Sequence, residues 1–231
     1  MCGLVGAISK QDTFCEDDIA LIRNLMRESQ IRGRHATGYA HNLNGRIVGV
    51  VENIPAVLFL EKHISNELLF SNLFIGHCRY STSSLETSQP IFNEHLAIAH
   101  NGVVTQESPD KWERHFNVQC STENDSEIVF HKLMNGYNPF EDIPSASGAL
   151  LYIKPKSFVA YRNGKRPLWM FYTNTAIFFA STQDIIARAT KRMEGCSHGT
   201  LIKPGIEYEY NEHTQYFGPG EVIEVNTEDW Q

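Results

Sequence analysis

The sequence predicts an α+β layered sandwich, and three observations carry that expectation. Short apolar runs bounded by turn signals recur along the chain, as expected of many antiparallel strands. Convincing helical spacing is confined to three segments, two towards the front and one near the end. No Pro/Ser-rich linker, low-complexity tract or internal repeat interrupts the 231 residues, so one domain spanning 1–231 is expected.

The elements follow in order. "CGLVGAIS" reads as a strand. "EDDIALIRNLMRESQIRGR" places Ile19, Ile22, Leu25, Met26 and Gln30 at helical spacing, with acids at its front and arginines at its end, as the helix dipole prefers. "ATGYAHNLNGRIVGVV" reads as a hairpin turning at "LNGR". "NLFIGHCRYS" and "HLAIAHNGVV" are strand candidates that end in polar residues. "ENDSEIVFHKLMNGY" is the second helix, with Ile128, Val129, Leu133 and Met134 as its stripe and Gly136 as its stop. Strands then dominate through "SGALLYI", "SFVAYRNG", "PLWMFYT" and "TAIFFAST". The short helix "TQDIIARATKR" follows, and two "PG" turns flank the last short strands.

Composition narrows the function. A 42% hydrophobic, 20% charged chain is ordinary for a globular protein. Its net charge of -7 argues against nucleic acid or an anionic membrane surface as partner. No apolar run approaches the roughly 18–20 residues needed to span a bilayer, and the start lacks the form of a signal peptide. Five cysteines without a CxxC pair fit a reducing compartment, and a cytoplasmic location is expected.

Four places carry chemistry-bearing residues. Cys2 follows a removable Met1, and without it the residue would own both a thiol and a free α-amine. Such an amine titrates near ~7.7–8 and can take the thiol proton, uniting nucleophile and base. Otherwise Cys2 is a small buried residue opening a strand. Arg79, leaving a strand into "YST", suits a bidentate carboxylate clamp or a structural ion pair. Asn101-Gly102 could be a hairpin turn, or an oxyanion hole made by an amide side chain and a backbone N–H. Asp125 could cap the second helix or hold an ammonium group. His77 and Cys78 are strand neighbours whose side chains face opposite ways, which argues against a dyad. Cys15, Cys120 and Cys196 are expected to be structural.

Taken in order, "MCGLVGAI", "RGRHATG", "GHCRYST", "QPIFNEHLAIAHNG", "ENDSEIV", "SGALLYI" and the "RPL…AST" region resemble the glutaminase domain of class II glutamine amidotransferases. These are N-terminal-nucleophile hydrolases. The resemblance implies a four-layer αββα sandwich of two antiparallel sheets. It implies that Cys2 attacks the side-chain amide of L-glutamine and that Asn101 and Gly102 stabilise the oxyanion. Arg79 would grip the α-carboxylate, helped by Tyr80, Ser81 and Thr82, while Asp125 and the Gly102 carbonyl would hold the α-ammonium. No metal or organic cofactor is implied. The glycines behind Cys2 then read as room for backbone to pass close to the substrate.

Two departures stand out. The family usually carries an acidic residue where "RGRHATG" has His35, which bears on the fine geometry of the glutamine-binding loop. The chain also stops where a synthase domain would begin, so the ammonia acceptor is expected to be a separate synthase, with a homo-oligomer also allowed. A γ-glutamyl amide hydrolase acting on larger substrates and an inactive binding domain are the competing functions.

Overall fold

Short, largely buried strands fold the chain into two antiparallel sheets. The computed structural model describes residues 1–64, 66–81, 88–139, 147–191, 199–211 and 216–222. The first sheet runs β11 (Thr200–Leu201), β9 (Trp169–Tyr172), β10 (Ala176–Ala180), β1 (Gly3–Ser9), β4 (Ser71–Arg79), β2 (Ala36–Leu43), β3 (Arg46–Glu52). The second runs β13 (Tyr216–Val222), β12 (Ile206–Asn211), β8 (Ser157–Arg162), β7 (Ser147–Lys154), β6 (Ala97–Val103), β5 (Ile91–Phe92).

Each sheet is apolar on both faces because each is covered twice. Leu4, Ile8 and Ile75 of the first sheet meet Ala99, Leu151 and Phe158 of the second, forming the middle of the sandwich. The Phe158 and Phe179 rings stack across it, 4.9 Å apart. On the outer face of the first sheet lie α1 (Glu16–Ser29), α2 (Ala56–His63) and α5 (Gln183–Ala189). Across the molecule, α3 (Trp112–Phe116) and α4 (Ser126–Met134) cover the second sheet through Trp112, Ile128 and Leu133. The result is the expected αββα order. Among the described residues no helix is long and apolar enough to cross a membrane.

Local chemistry explains most boundaries. Cys15 opens α1, its N–H donating to Asp18 Oδ2 at 3.1 Å, while Glu16, Asp17 and Asp18 complement the positive end of the helix. The helix closes at Ser29, so Gln30 falls just beyond it. The β2–β3 turn places Asn44 at φ 51° and Gly45 at φ 82°, the two left-handed residues that a tight hairpin needs. Gly136, at φ 78°, follows the end of α4.

Four expectations need correction. "AVLFLEKH" forms α2, which the sequence pattern did not reveal because Pro55 and a mixed apolar run obscure the helical period. Pro219 and Gly220 lie within β13 and make no turn; β13 is an edge strand, where a missing N–H costs no ladder bond, and its register against β12 is irregular. Asn101 and Gly102 lie inside β6, paired with Ala149 and Gly148, so the hairpin alternative fails. Gly3 and Gly6 make room for packing: a Cβ would stand 2.7 Å from the Ser29 carbonyl oxygen at Gly3, and 2.8 Å from the Phe158 ring at Gly6.

Two buried histidines give the fold a pH signature. Burial holds His41 down to about 4. Burial chiefly, with Arg79 and His100 adding to it, holds His77 down to about 3. The unfolded chain binds both protons near the ordinary value of ~6.5, before the folded chain does. Stability is therefore full above that value and is expected to fall as pH drops below it. The slope approaches about 2.7 kcal/mol per pH unit for two protons, until the folded histidines titrate. Urea midpoints measured from neutral pH to pH 4 check this; a flat profile contradicts it.

Candidate active site

Strand periodicity brings three side chains to one end of the inter-sheet layer. Leu4 and Ile8 of β1 point into that layer, and Cys2 is in phase with them. Leu73 and Ile75 of β4 do the same, with His77 and Arg79 continuing the row. On β6 the row is Ala97, Ala99 and Asn101. Cys78 has the opposite phase: it packs under α1, its thiol donates to the Met26 carbonyl at 3.5 Å, and burial pushes it up to about 12. His77 and Cys78 thus face opposite layers, as expected.

The two sheets touch through Cys2 and Asn101. The Cys2 N–H donates to Asn101 Oδ1 at 3.0 Å. That bond fixes the amide orientation and leaves Asn101 Nδ2 buried, with no hydrogen-bond partner among the described residues. A buried donor without an acceptor costs about 1–3 kcal/mol, so its retention calls for a reason. The Cys2 thiol lies 3.9 Å from the Tyr80 carbonyl oxygen. Arg32 secures the residue from behind, donating from Nε to the Cys2 carbonyl at 2.8 Å and from Nη2 to Met1 Sδ at 3.5 Å.

Arg79 ends β4 in a buried position, and its Nη1 donates to Ser88 Oγ at 3.3 Å. Burial lowers the guanidinium, while the charge of a Cys2 thiolate acts the other way, as it does on Arg32. Ser88 also lines a cleft of about 390 Å3, with Asn53, Ser121, Thr122 and Glu127. The "RGRHATG" segment supports the turn after Arg79. A Cβ on Gly33 would stand 2.2 Å from the Arg79 carbonyl carbon, so the two backbones are in direct contact. His35 donates its N–H to the Arg79 carbonyl at 3.0 Å and accepts the Ser81 N–H through Nδ1 at 2.8 Å.

Asp125 does not cap α4. Its own backbone is already helical, and its Oδ2 accepts the Val104 N–H at 2.6 Å and the Thr105 N–H at 3.4 Å. It thereby ties the start of α4 to the chain leaving β6 just past Gly102. Gln89 Oε1 accepts the His100 N–H at 2.6 Å, and Ser126 Oγ joins Gln89 and the His100 ring, so Asn101 and Asp125 share one frame. Glu127 braces that frame from below. Burial would raise its carboxyl, but hydrogen bonds from Thr122, Ser121 and His131 together hold it below the usual carboxylate range.

The structure thus gathers Cys2, Arg79, Tyr80, Ser81, Asn101, Gly102 and Asp125 around one end of the sandwich. Thr82 and Cys196 lie outside the described residues. Cys15 serves the start of α1, and His95 sits at the surface beside Glu94. Sequence reasoning kept Arg32 only as a motif residue and missed its grip on Cys2. The signal was an arginine placed directly before Gly33, off the end of an amphipathic helix. Among the described residues no group of three or more His, Cys, Asp or Glu side chains is arranged to hold a metal ion.

This αββα layering is the fold of the glutamine amidotransferases among solved structures. Glutamine phosphoribosylpyrophosphate amidotransferase from B. subtilis superposes with a TM-score of 0.75 at 18% identity, over 97% of this chain and 50% of that one. A glutamine aminotransferase class-II domain protein from Silicibacter pomeroyi superposes over 96% of this chain and all of its own, with a TM-score of 0.60 at 12% identity. In sequence, the chain is 28% identical over 208 residues to the glutamine–fructose-6-phosphate aminotransferase of Bartonella henselae, covering 82% of this chain and 32% of that enzyme. The Bartonella quintana enzyme of the same name is 27% identical over 228 residues, covering 89% of this chain and 36% of its own length. The chain spans about a third of the length of these curated relatives. No family model matches it.

Proposed function

We propose that this chain is a glutaminase of the class II amidotransferase type, hydrolysing the side-chain amide of L-glutamine and passing the ammonia to a separate synthase. The hydrogen bond between Cys2 N–H and Asn101 Oδ1 carries the proposal, because it gives one asparagine two tasks. Once Met1 is removed, that nitrogen becomes a free α-amine, and Asn101 Oδ1 orients its lone pair towards the thiol. The Asn101 Nδ2 hydrogens remain available for an oxygen that becomes negative only during reaction.

The chemistry then balances. The α-amine takes the thiol proton and Sγ attacks the amide carbon of glutamine. The resulting oxyanion is held by Asn101 Nδ2 and the Gly102 N–H. The protonated amine returns its proton to the leaving nitrogen, and ammonia departs from a thioester. Water, deprotonated by the same amine, adds to the thioester and releases glutamate. Arg79 takes the α-carboxylate, helped by Tyr80 and Ser81; Asp125 and the Gly102 carbonyl take the α-ammonium. A zwitterion needs one partner for each charge, and this assignment supplies both. No step calls for a metal or an organic cofactor. The net charge and cysteine usage fit a cytoplasmic enzyme acting as one domain across 1–231.

The test is an N-terminal mass determination followed by an assay of glutamate release from glutamine. The expected result is a mass lacking Met1, with turnover that Asn101→Ala lowers by about 10²–10³-fold in kcat. A chain that keeps Met1 and releases no glutamate, or one that turns over only larger γ-glutamyl amides, overturns the assignment.

A further inference from the structure

His35 sits against the turn that follows Arg79. His35 brackets Tyr80 on both sides: its own N–H reaches back to the Arg79 carbonyl, and its ring Nδ1 receives the Ser81 N–H. The ring also lies 5.2 Å from the Tyr80 ring. A backbone N–H can donate only to an unprotonated ring nitrogen, so the imidazole in this contact is neutral with its hydrogen on Nε2. An acidic side chain would do the same job as a permanent acceptor. Histidine does it conditionally.

We propose that His35 is a positioning residue: its neutral ring holds the Arg79–Ser81 turn in the shape that binds substrate, and its protonation releases that turn. Protonated Nδ1 becomes a donor facing the Ser81 N–H, also a donor, and the contact turns from attractive to repulsive. The consequences fall on Arg79, the carboxylate clamp, and on Tyr80, whose carbonyl oxygen faces the Cys2 thiol at 3.9 Å. Among the described residues, the titratable group in contact with the ring is the Tyr80 phenol, and Arg34 adjoins His35 in the chain. The substrate consequence rests on the glutaminase function proposed above, while the contact itself does not.

Two variants separate position from bulk. His35→Phe keeps a ring and removes the acceptor; His35→Asn restores an acceptor oxygen near the Nδ1 position that does not titrate. For the exposed contact, the Phe variant is expected to raise KM for glutamine about three- to tenfold, with kcat changed far less. The Asn variant is expected to recover most of that loss. Wild-type KM is expected to rise on acidification, and the Asn variant to lack that rise. In the substrate-free protein, the Ser81 amide resonance is expected to titrate together with the His35 ring signals, and to stop doing so in the Asn variant. A Ser81 resonance indifferent to the His35 titration overturns the proposal whatever the turnover. So does a Phe variant with wild-type KM in an active enzyme. If no glutamate is released by any form, the proposed activity fails, and the amide titration still decides the His35 contact.

Discussion

Replacing Cys2 by alanine is expected to reduce glutamate release by roughly 10³-fold or more, leaving the fold intact. Under the proposed function, the thiol forms the covalent bond with the acyl carbon. Its contribution to stability is small, since its hydrogen-bond partner is the Tyr80 carbonyl oxygen at a long 3.9 Å. The urea midpoint should therefore move by less than about 0.5 kcal/mol in free-energy terms, as for a substitution outside any core or network. Cys2→Ser should be intermediate, because an alcohol is a poorer nucleophile but can still use the α-amine as its base. A form with Met1 left in place should resemble the alanine variant, since an amide nitrogen has no basic lone pair. Alanine and wild-type chains turning over glutamine at similar rates would remove Cys2 from the mechanism.

Gly33→Ala is expected to be the most damaging change outside the reacting groups. The new Cβ would stand 2.2 Å from the Arg79 carbonyl carbon, 2.3 Å from the Tyr80 nitrogen and 2.5 Å from the Arg79 oxygen. All three are backbone atoms, so no rotamer change relieves the overlap, and the end of β4 must move by about an ångström. Overpacking of this kind costs about 1–3 kcal/mol. The same displacement carries Arg79 and the Tyr80 carbonyl away from Cys2, and a misplacement of about 1 Å costs about 10²-fold in rate. Gly45→Ala is the control. Its left-handed φ of 82° makes alanine unfavourable there, but a Cβ meets nothing within 4 Å, and the turn lies at the opposite end of β2. It should lower the urea midpoint while leaving kcat/KM per folded molecule unchanged. Wild-type kcat/KM in Gly33→Ala would show that the turn tolerates the shift.

The layers and most strands were legible because their signals are local: β1, β4 and β6 are short, mostly buried runs, and the Asn44-Gly45 turn announces the first hairpin. Pro55 and "AVLFLEKH" were illegible because eight residues scarcely exceed two helical turns, and α2 is stabilised by packing Phe59 and Leu60 into the outer core. The site was partly legible for a different reason. Cys2, Arg79 and Asn101 are polar residues at the ends of apolar strands, where local burial offers no motive for them. The capping reading of Asp125 and the hairpin reading of Asn101-Gly102 could be excluded only by long-range pairing. Whether an "NG" is a turn depends on whether β7 lies beside it. Whether an aspartate caps its helix depends on competing acceptance of a distant N–H such as that of Val104.

The Cys2–Asn101 hydrogen bond has a mechanical meaning for the whole molecule. Its two ends belong to different sheets, and nothing in either sheet alone sets their separation. That gap is the thickness of the aliphatic filling between them, Leu4 and Ile75 against Ala99 and Leu151, with the stacked Phe158 and Phe179 as the widest members. The interior thus acts as a spacer cut to the reach of one amide side chain. Residues far from the rim set, by their volume alone, how closely Cys2 and Asn101 approach each other.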